Sequence, residues 1–409
     1  MEISSNKKLS ISIPNYNRIE KLKLLVKEVL LQIRKYSLQK KVQLCISDDY
    51  SEEDPTAFIQ EVIQDNKDID IRYSRKGHNQ GMDMNFLDCV LLSDAEYSWI
   101  IGNDDIPTSD GIMSVITILE QYNDLDFLVT PFDILDENGA YIHTLFPLES
   151  EVMQHFDTNS LVDRSALISS IRHNSGIFGF LSNVVFRRQS WEEKKTKYID
   201  KNGTLFMQMY LNIDTLLEGA KYCFTNVKIV NNYIDREIEK SMDRLCRIIL
   251  GLDGVVETFF GDDEKILLKR NIVDSYISGK VWEASQKEQG FAGIGEMDSE
   301  KLQMYRKYYI SPATLKKIWS NSEIVLYGAG NYGSQAYSLL CENDILVSQI
   351  ADSDLMKVGN IFCEHRIQHI DQVVSEDVNK CFIVANNVHL CQMIKYLIGK
   401  GVSNICIII

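Results

Sequence analysis

The sequence predicts an α/β protein: a parallel sheet flanked by helices, followed by a smaller unit of the same class. Three observations carry the prediction. Short apolar runs alternate with stretches of helical periodicity from residue 9 to about residue 140, polar clusters directly follow several of those runs, and the alternation restarts at residue 323 with a glycine-bearing turn. Such alternation builds parallel sheets, because each strand needs a crossover helix to return alongside the last.

The elements read in order. LSISIP (9–14) is a short apolar strand, residues 19–35 carry Leu and Val at helical spacing, and VQLCISD (42–48) is a second strand. AFIQEVIQD (57–65) reads as a helix, IDIRYS (69–74) as a third strand, NFLDCVLLS (85–93) as a helix and YSWIIG (97–102) as a fourth strand. A helix over 110–122 and the strand DFLVTPF (126–132) extend the sheet, and the pattern then fades. Residues 1–237 form this first domain. Residues 238–320 read as a helical connector on RLCRIIL, KILLKRNIVDSYI and KVWEASQKEQ. Residues 321–409 give a Rossmann-like domain: EIVLY, GAGNYG, a helix through CEN, the strand ILVSQIAD, then CFIVAN, the helix LCQMIKYLIGKG and a closing NICIII.

Composition excludes several functions. A net charge of −15 argues against nucleic acid as a partner, since phosphate backbones reward Lys and Arg. Nine cysteines without a CxxC pair, several inside apolar runs, read as buried thiols in a reducing compartment. There is no signal-peptide-like N-terminus and no apolar run long enough to span a bilayer, which predicts a soluble, cytoplasmic chain.

In parallel sheets the ligand crevice lies beyond the carboxyl ends of the strands. PNYNR, SDDYS and GNDD follow the first, second and fourth strands, which gathers them at that edge. Gly102-Asn103-Asp104-Asp105 supplies two adjacent carboxylates at a strand end. Hard cations such as Mn²⁺ or Mg²⁺ take oxygen ligands of this kind, commonly with phosphate oxygens completing the shell. Read alone, the same four residues are also an ordinary polar turn.

The ordered series LSISIPNYNR, ISDDYSEED, GHNQGMDMNF and YSWIIGNDDIPTSDGI resembles the family 2 glycosyltransferases of GT-A fold. The Asn-x-Gly-x-Asp-x-Asn and Gly-x-Asp-Asp forms are similar to the abequosyltransferase-like subgroup. The resemblance covers roughly residues 8–235. It implies an enzyme moving a sugar from a nucleotide-diphosphate sugar to a saccharide or lipid-linked acceptor in bacterial surface-polysaccharide synthesis, with inversion. It also implies roles by position. Pro14, Tyr16, Asn17 and Arg18 would line the donor's base and diphosphate; Asp48 or Asp49 would bind the nucleobase; Asn79, Gly81 and Asn85 would lie under the ribose and diphosphate. Asn103 and Asp104 would contact the donor, and Asp104, with Asp105 beside it, would bind the metal. Two positions depart from the pattern: Gly102 replaces the first Asp of a DxD motif, and Met84 stands where many relatives carry Arg.

Inverting transfer needs a base for the acceptor hydroxyl. Past the apolar-Arg-Arg segment ending in Arg187 and Arg188, Gln208 stands near the expected position and cannot serve. Asp214 is the nearest carboxylate, so the catalytic base is unassigned and transfer with retention stays open beside inversion. Phe178-Gly179-Phe180 with Ser182-Asn183 reads as the acceptor side of the cleft. In the tail, Gly328, Gly330 and Gly333 with Asp352 about twenty residues on have the spacing of a nucleotide-binding turn, which opens a second site for an unidentified nucleotide. A packing role for those glycines is the competing reading. Cys363, His365 and His369 lack a fourth ligand in view. Peripheral association with the inner membrane face and assembly into homo-oligomers stay open. So do two other functions: an NAD-dependent sugar oxidoreductase centred on GAGNYG, and a non-catalytic nucleotide-sugar-binding protein.

Overall fold

The computed structural model describes residues 7–233, 242–261 and, with interruptions, 309–408. The chain divides into two compact units, Met1–Phe259 and Phe260–Ile409.

The first unit runs β1 (Leu9–Asn15), α1 (Ile19–Lys35), β2 (Val42–Asp48), α2 (Thr56–Asp65), β3 (Asp70–Arg75), α3 (Met82–Leu91), β4 (Tyr97–Ile100), β5 (Asp105–Pro107) and α4 (Gly111–Gln121). It continues with β6 (Phe127–Val129), β7 (Phe132–Leu135), β8 (Tyr141–Leu145), β9 (Gln154–Asp157), α5 (Leu161–Ser170), β10 (Val184–Arg187) and α6 (Gln189–Lys194). It closes with α7 (Met207–Gly219), β11 (Lys221–Phe224), β12 (Val230–Tyr233) and α8 (Met242–Phe259). Every residue of β1 and β2 is buried, as expected of central strands covered on both faces. Leu22, Leu25, Val26, Val29 and Ile33 put one stripe of α1 on that sheet, while Glu20 in its first turn and Arg34 and Lys35 in its last complement the helix dipole.

The main sheet has the order β3-β2-β1-β4-β10-β6-β11-β9. β1, β2, β3 and β4 are mutually parallel, in registers that include Asn15↔Asp48 and Ser12↔Ile100, so their carboxyl ends open on one edge. The sheet is mixed rather than purely parallel. β10 inserts antiparallel between β4 and β6, and the segment forming it lies far along the chain from both neighbours. The expected strand 126–132 is two strands, because Pro131 has no N–H for the ladder. β6 stays in the main sheet and β7 enters a second one, β5-β12-β7-β8.

RLCRIIL lies in α8, which belongs to the first unit and packs within it. A Cβ on Gly251 would stand 2.4 Å from the Thr204 carbonyl oxygen, and the Phe259 and Tyr210 rings are 5.6 Å apart. The remainder of the expected connector, including KILLKRNIVDSYI and KVWEASQKEQ, falls outside the described residues.

In the second unit, β13 (Tyr309–Ile310), β14 (Glu323–Tyr327), β15 (Val347–Asp352), β18 (Gln368–His369), β19 (Lys380–Val384) and β20 (Ile405–Ile408) form a sheet of order β13-β20-β19-β14-β15-β18. All its pairings are parallel. β16 (Ile361–Phe362) and β17 (His365–Arg366) form a small hairpin, and helices α9 (Asn331–Glu342) and α10 (Ile370–Val374) follow β14 and β18. The expected helix LCQMIKYLIGKG is only partly among the described residues. No described helix is long and apolar enough to cross a membrane.

Candidate active site

Asn15, the last residue of β1, organises the edge where the strands open. Its amide nitrogen donates to Asp48 Oδ1 at 2.7 Å and to Ser51 Oγ at 3.2 Å, while its side-chain oxygen accepts from Asn103 Nδ2 at 2.8 Å. Its carbonyl takes the Asn85 amide at 3.1 Å, leaving Asn85 Oδ1 buried without a protein partner. One residue thus joins the polar clusters behind the first, second and fourth strands. Asn15 lies in the PNYNR cluster, where only Pro14, Tyr16, Asn17 and Arg18 carry an expected role.

Asn17 sits in the left-handed region (φ 53°). Its backbone N–H donates to Ser51 Oγ at 2.9 Å, and its Oδ1 accepts from Glu52 N at 2.8 Å. It therefore tethers two loops. Pro14 is a buried strand residue, whereas Tyr16 is 43% exposed at the mouth.

The two carboxylates expected at a nucleobase are occupied by the protein itself. Asp48 is fully buried and held by Asn15, by the Ser51 N–H and hydroxyl, and by Arg75 Nε at 3.1 Å. A group with no exposed surface and its acceptor sites filled cannot reach a ligand. Asp49 is 2% exposed, and its oxygens accept from Gln80 N at 2.8 Å and Gly81 N at 2.9 Å. Burial raises its pKa. It shapes the loop holding Asn79, whose Oδ1 also accepts from Gly81 N at 2.9 Å, with Gly81 at φ 94°. The surface exposed beside them belongs to Tyr50 and Asn79.

Asp83 was missed as well. Its carboxylate accepts from the backbone N–H groups of Gly203 (2.8 Å), Leu205 (3.0 Å) and Met207 (3.2 Å). This anchors the start of α7 to the loop carrying Asn79 and Gly81. The signal was the Asp of Asn-x-Gly-x-Asp, read as part of a motif without a role.

At the end of β4, Gly102 is the point on which two carboxylates converge. A Cβ there would lie 3.0 Å from Asp104 Oδ1, 3.1 Å from Asp105 Oδ2 and 3.7 Å from Ser182 Oγ. Asp104 is paired with Arg18, whose Nη1 also lies 3.4 Å from Asn103 Oδ1. Asp105 is 2% exposed; Ser182 donates to Oδ2, and Asn232 Nδ2 to Oδ1 at 2.8 Å. Burial, then the neighbouring Asp104 charge, pushes its pKa up to about 7. Asp104 therefore faces the cleft and Asp105 stands behind it. Among the described residues no three His, Cys, Asp or Glu side chains cluster to hold a metal. The donor set still fits a hard cation that takes one or two carboxylates and fills its shell from a diphosphate and water.

A cavity of about 680 Å³ opens beside Asp104, lined by the exposed stripe of α1, Glu137 of the β7–β8 hairpin and Tyr233. Of the residues read as the acceptor side, three are core: Phe178 and Asn183 are fully buried and Ser182 is 2% exposed, while the half-buried Phe180 packs on Phe132 at 4.4 Å. Gly179 packs against the Asn174 carbonyl oxygen, 2.9 Å from where its Cβ would be. Gln208 is 3% exposed in the first turn of α7. Asp214 is ion-paired with Lys197 at 2.7 Å and Lys194 at 3.3 Å. These lysines outweigh the desolvation that is the largest single influence, so its pKa is lowered. Held as a charged, neutralised structural group, it is poorly suited to take a proton.

Residues 10–189 match the sequence profile of Glycosyl transferase family 2. The chain carries a family 2 glycosyltransferase domain. Abequosyltransferase RfbV of Salmonella typhimurium is 30% identical over 187 residues, covering 45% of this chain and 54% of that protein, so the match spans about half of that relative. Among solved structures, S. aureus TarS in complex with UDP-GlcNAc matches with a TM-score of 0.49 at 11% identity, over 70% of this chain and 77% of that one. TarS in complex with UDP matches with a TM-score of 0.47 at 11% identity, over 72% and 78%.

Within the glycosyltransferase domain, the departure at Gly102 has a steric reason. The volume a side chain would need at 102 is taken by the oxygens of Asp104 and Asp105.

In the second unit, two of the three tail glycines pack the backbone. A Cβ on Gly333 would fall 2.0 Å from Gly328 O, and one on Gly328 (φ 120°) would fall 2.5 Å from Ala385 O, whereas Gly330 faces open space. Asp352 accepts from Ala329 N at 2.8 Å and Asp354 N at 2.9 Å and is ion-paired with Lys357 at 3.0 Å. Its oxygens close the turn, and the residue also lines the cavity at the strand ends. A cavity of about 520 Å³ lies past the ends of β14, β15 and β19, lined among others by Tyr327, Asp354, Lys357 and Tyr396. Cys363, His365 and His369 belong to no metal-binding cluster among the described residues.

Proposed function

We propose that this protein transfers a sugar from a nucleotide-diphosphate sugar to a saccharide or lipid-linked acceptor of bacterial surface-polysaccharide synthesis, with a divalent cation and with inversion. It would act in the cytoplasm, at the inner membrane face. The observation that carries the reading is the convergence of the Asp104 and Asp105 oxygens at the end of β4, beside Arg18 and the β1 edge. The family 2 domain over the same residues supports it.

Asp104 would hold Mn²⁺ or Mg²⁺ directly, with Asp105 fixed behind it by Ser182 and Asn232. The bound ion offsets negative charge gathering on a leaving diphosphate. Arg18 is placed to exchange its carboxylate partner for a phosphate, a geometry its planar guanidinium matches. Tyr16, Asn79 and Tyr50 would meet the nucleoside, the first two by position and Tyr50 by its exposed ring beside Asp49. The likeness to an abequosyltransferase fits a saccharide acceptor. Release of nucleoside diphosphate from a panel of nucleotide sugars, with Mn²⁺ or EDTA, tests the reading; no release from any sugar by folded protein would defeat it.

A second reading, a non-catalytic nucleotide-sugar-binding protein, draws on Gln208 at the position where relatives place a carboxylate. Slow, metal-dependent hydrolysis of one nucleotide sugar would eliminate it. The C-terminal nucleotide reading is weakened by the engagement of Asp352; a thermal shift with NAD or a nucleotide sugar, lost on removal of residues 321–409, would restore it.

A further inference from the structure

The cleft between α1 and the β7–β8 hairpin meets the donor site at Asn103 and Asp104, and its other walls have no part in that site. The outer face of α1 exposes Leu24 (63%) and Leu31 (53%) alongside Lys21 and Lys27, although buried contacts on the other face already secure the helix. With Ile106 and Tyr233 these residues wall the cavity of about 680 Å³ that opens on Asn103 and Asp104. Cavities of that size, mostly apolar with a few polar groups, suit small ligands.

We propose that this cleft holds the acceptor, a sugar hydroxyl carried on an apolar chain, and that Glu137 at the hairpin tip takes the proton of that hydroxyl. The proposal rests on the glycosyltransferase reading. Placement is the first argument: a group seated here faces Asp104, where the donor diphosphate would lie. Chemistry is the second. Leu24, Leu31, Ile106 and Tyr233 provide a floor for hydrocarbon, and lysine stems lie along such surfaces with their charges outward, above the chain. The third is elimination. Of the carboxylates lining the cleft, Asp104 is paired with Arg18 and Glu28 accepts from Gln32 Nε2 at 2.8 Å, while Glu137 makes no hydrogen bond or ion pair among the described residues. Gln208 has no basic group, and Asp214 is neutralised by two lysines.

The step balances without a co-reactant. The acceptor O–H proton passes to the Glu137 carboxylate, and the freed oxygen pair forms the bond to the anomeric carbon. The bond from that carbon to the diphosphate oxygen breaks, its electron pair leaving with the nucleoside diphosphate. Exposed Glu137 then returns the proton to water.

The test uses the full chain and an octyl glucoside with a diazirine on its alkyl chain, below its critical micelle concentration. The photolabel should map to peptides containing Leu24, Leu31 or Tyr233, and should fall at least about fivefold in Leu24→Lys, an exposed site where folding is checked by melting. Labelling elsewhere, or unchanged in that variant, overturns the acceptor cleft. For Glu137, Glu137→Gln should lower kcat for nucleoside diphosphate release about 100-fold with donor KM within twofold, and formate should restore Glu137→Ala. Retention of more than half the wild-type rate overturns the role of Glu137. Wild type that is labelled in the cleft yet releases no nucleoside diphosphate overturns both the transferase reading and the role of Glu137, leaving the binding site. Asp104-dependent release with labelling elsewhere leaves the transferase reading and overturns the cleft.

Discussion

Substituting Gly102 tests whether the paired carboxylates are set by steric exclusion. A methyl group at 102 would lie 3.0 Å from Asp104 Oδ1 and 3.1 Å from Asp105 Oδ2. Favourable carbon contacts begin near about 3.5 Å, so each oxygen must retreat by a few tenths of an ångström. Asp104 can turn into the cleft. Asp105 cannot, because it is buried and gripped by Ser182 and Asn232. Gly102→Ala should therefore cost about 1–2 kcal/mol of stability by overpacking. It should slow metal-dependent donor turnover by about tenfold to a hundredfold, as small misplacements near reacting groups do. Gly102→Asp, which supplies the first carboxylate of a DxD motif, inserts a third carboxylate into the same volume and should be worse on both counts. Urea melts give the stability change, and nucleoside diphosphate release with Mn²⁺ gives the rate. A Gly102→Asp variant as fast as wild type would refute the steric argument and return Gly102 to a simple loss of a ligand.

Two further outcomes follow from the geometry. Asp214→Asn should leave turnover within twofold while costing about 1–3 kcal/mol in urea melts, since charged hydrogen bonds to Lys194 and Lys197 are lost; a hundredfold loss of kcat without loss of stability would make it the base after all. His173, whose pKa burial and then His143 lower from 6.5 to about 4, is neutral in the fold, so the unfolded chain binds the extra proton between those values. Stability should fall as pH drops through that window, by at most about 3 kcal/mol. His173→Asn, which keeps an acceptor for the Ser175 N–H, should flatten the dependence measured by urea midpoints at pH 7 and 4.5; an unchanged slope would remove His173 as its source.

The first strands and helices were legible because burial dictates their composition. β2 matches its expected bounds and β1 is one residue longer, each with all seven residues buried, and α1 buries one stripe that is apolar except for Gln32. The gathering of PNYNR, SDDYS and GNDD followed from strand direction alone. The roles inside those clusters did not. Asp48 and Asp49 look like ligand-binding carboxylates in one dimension, but whether an oxygen faces a cleft or Asn15, Ser51 and Arg75 depends on neighbours from other elements. β10 could not be placed between β4 and β6 because its pairing joins residues remote in sequence, and Glu137 and Asn232 reach the cleft region from a second sheet with no motif to mark them.

The central claim is that Asp104 holds a cation at the donor diphosphate, and nucleoside diphosphate release in wild type and Asp104→Asn, each with Mn²⁺ and with EDTA, tests it most directly. The account predicts release only from wild type with Mn²⁺, by at least about a hundredfold over the other three conditions, with both proteins melting alike. Release from wild type in EDTA, or from Asp104→Asn with Mn²⁺, as fast as from wild type with Mn²⁺ would contradict it.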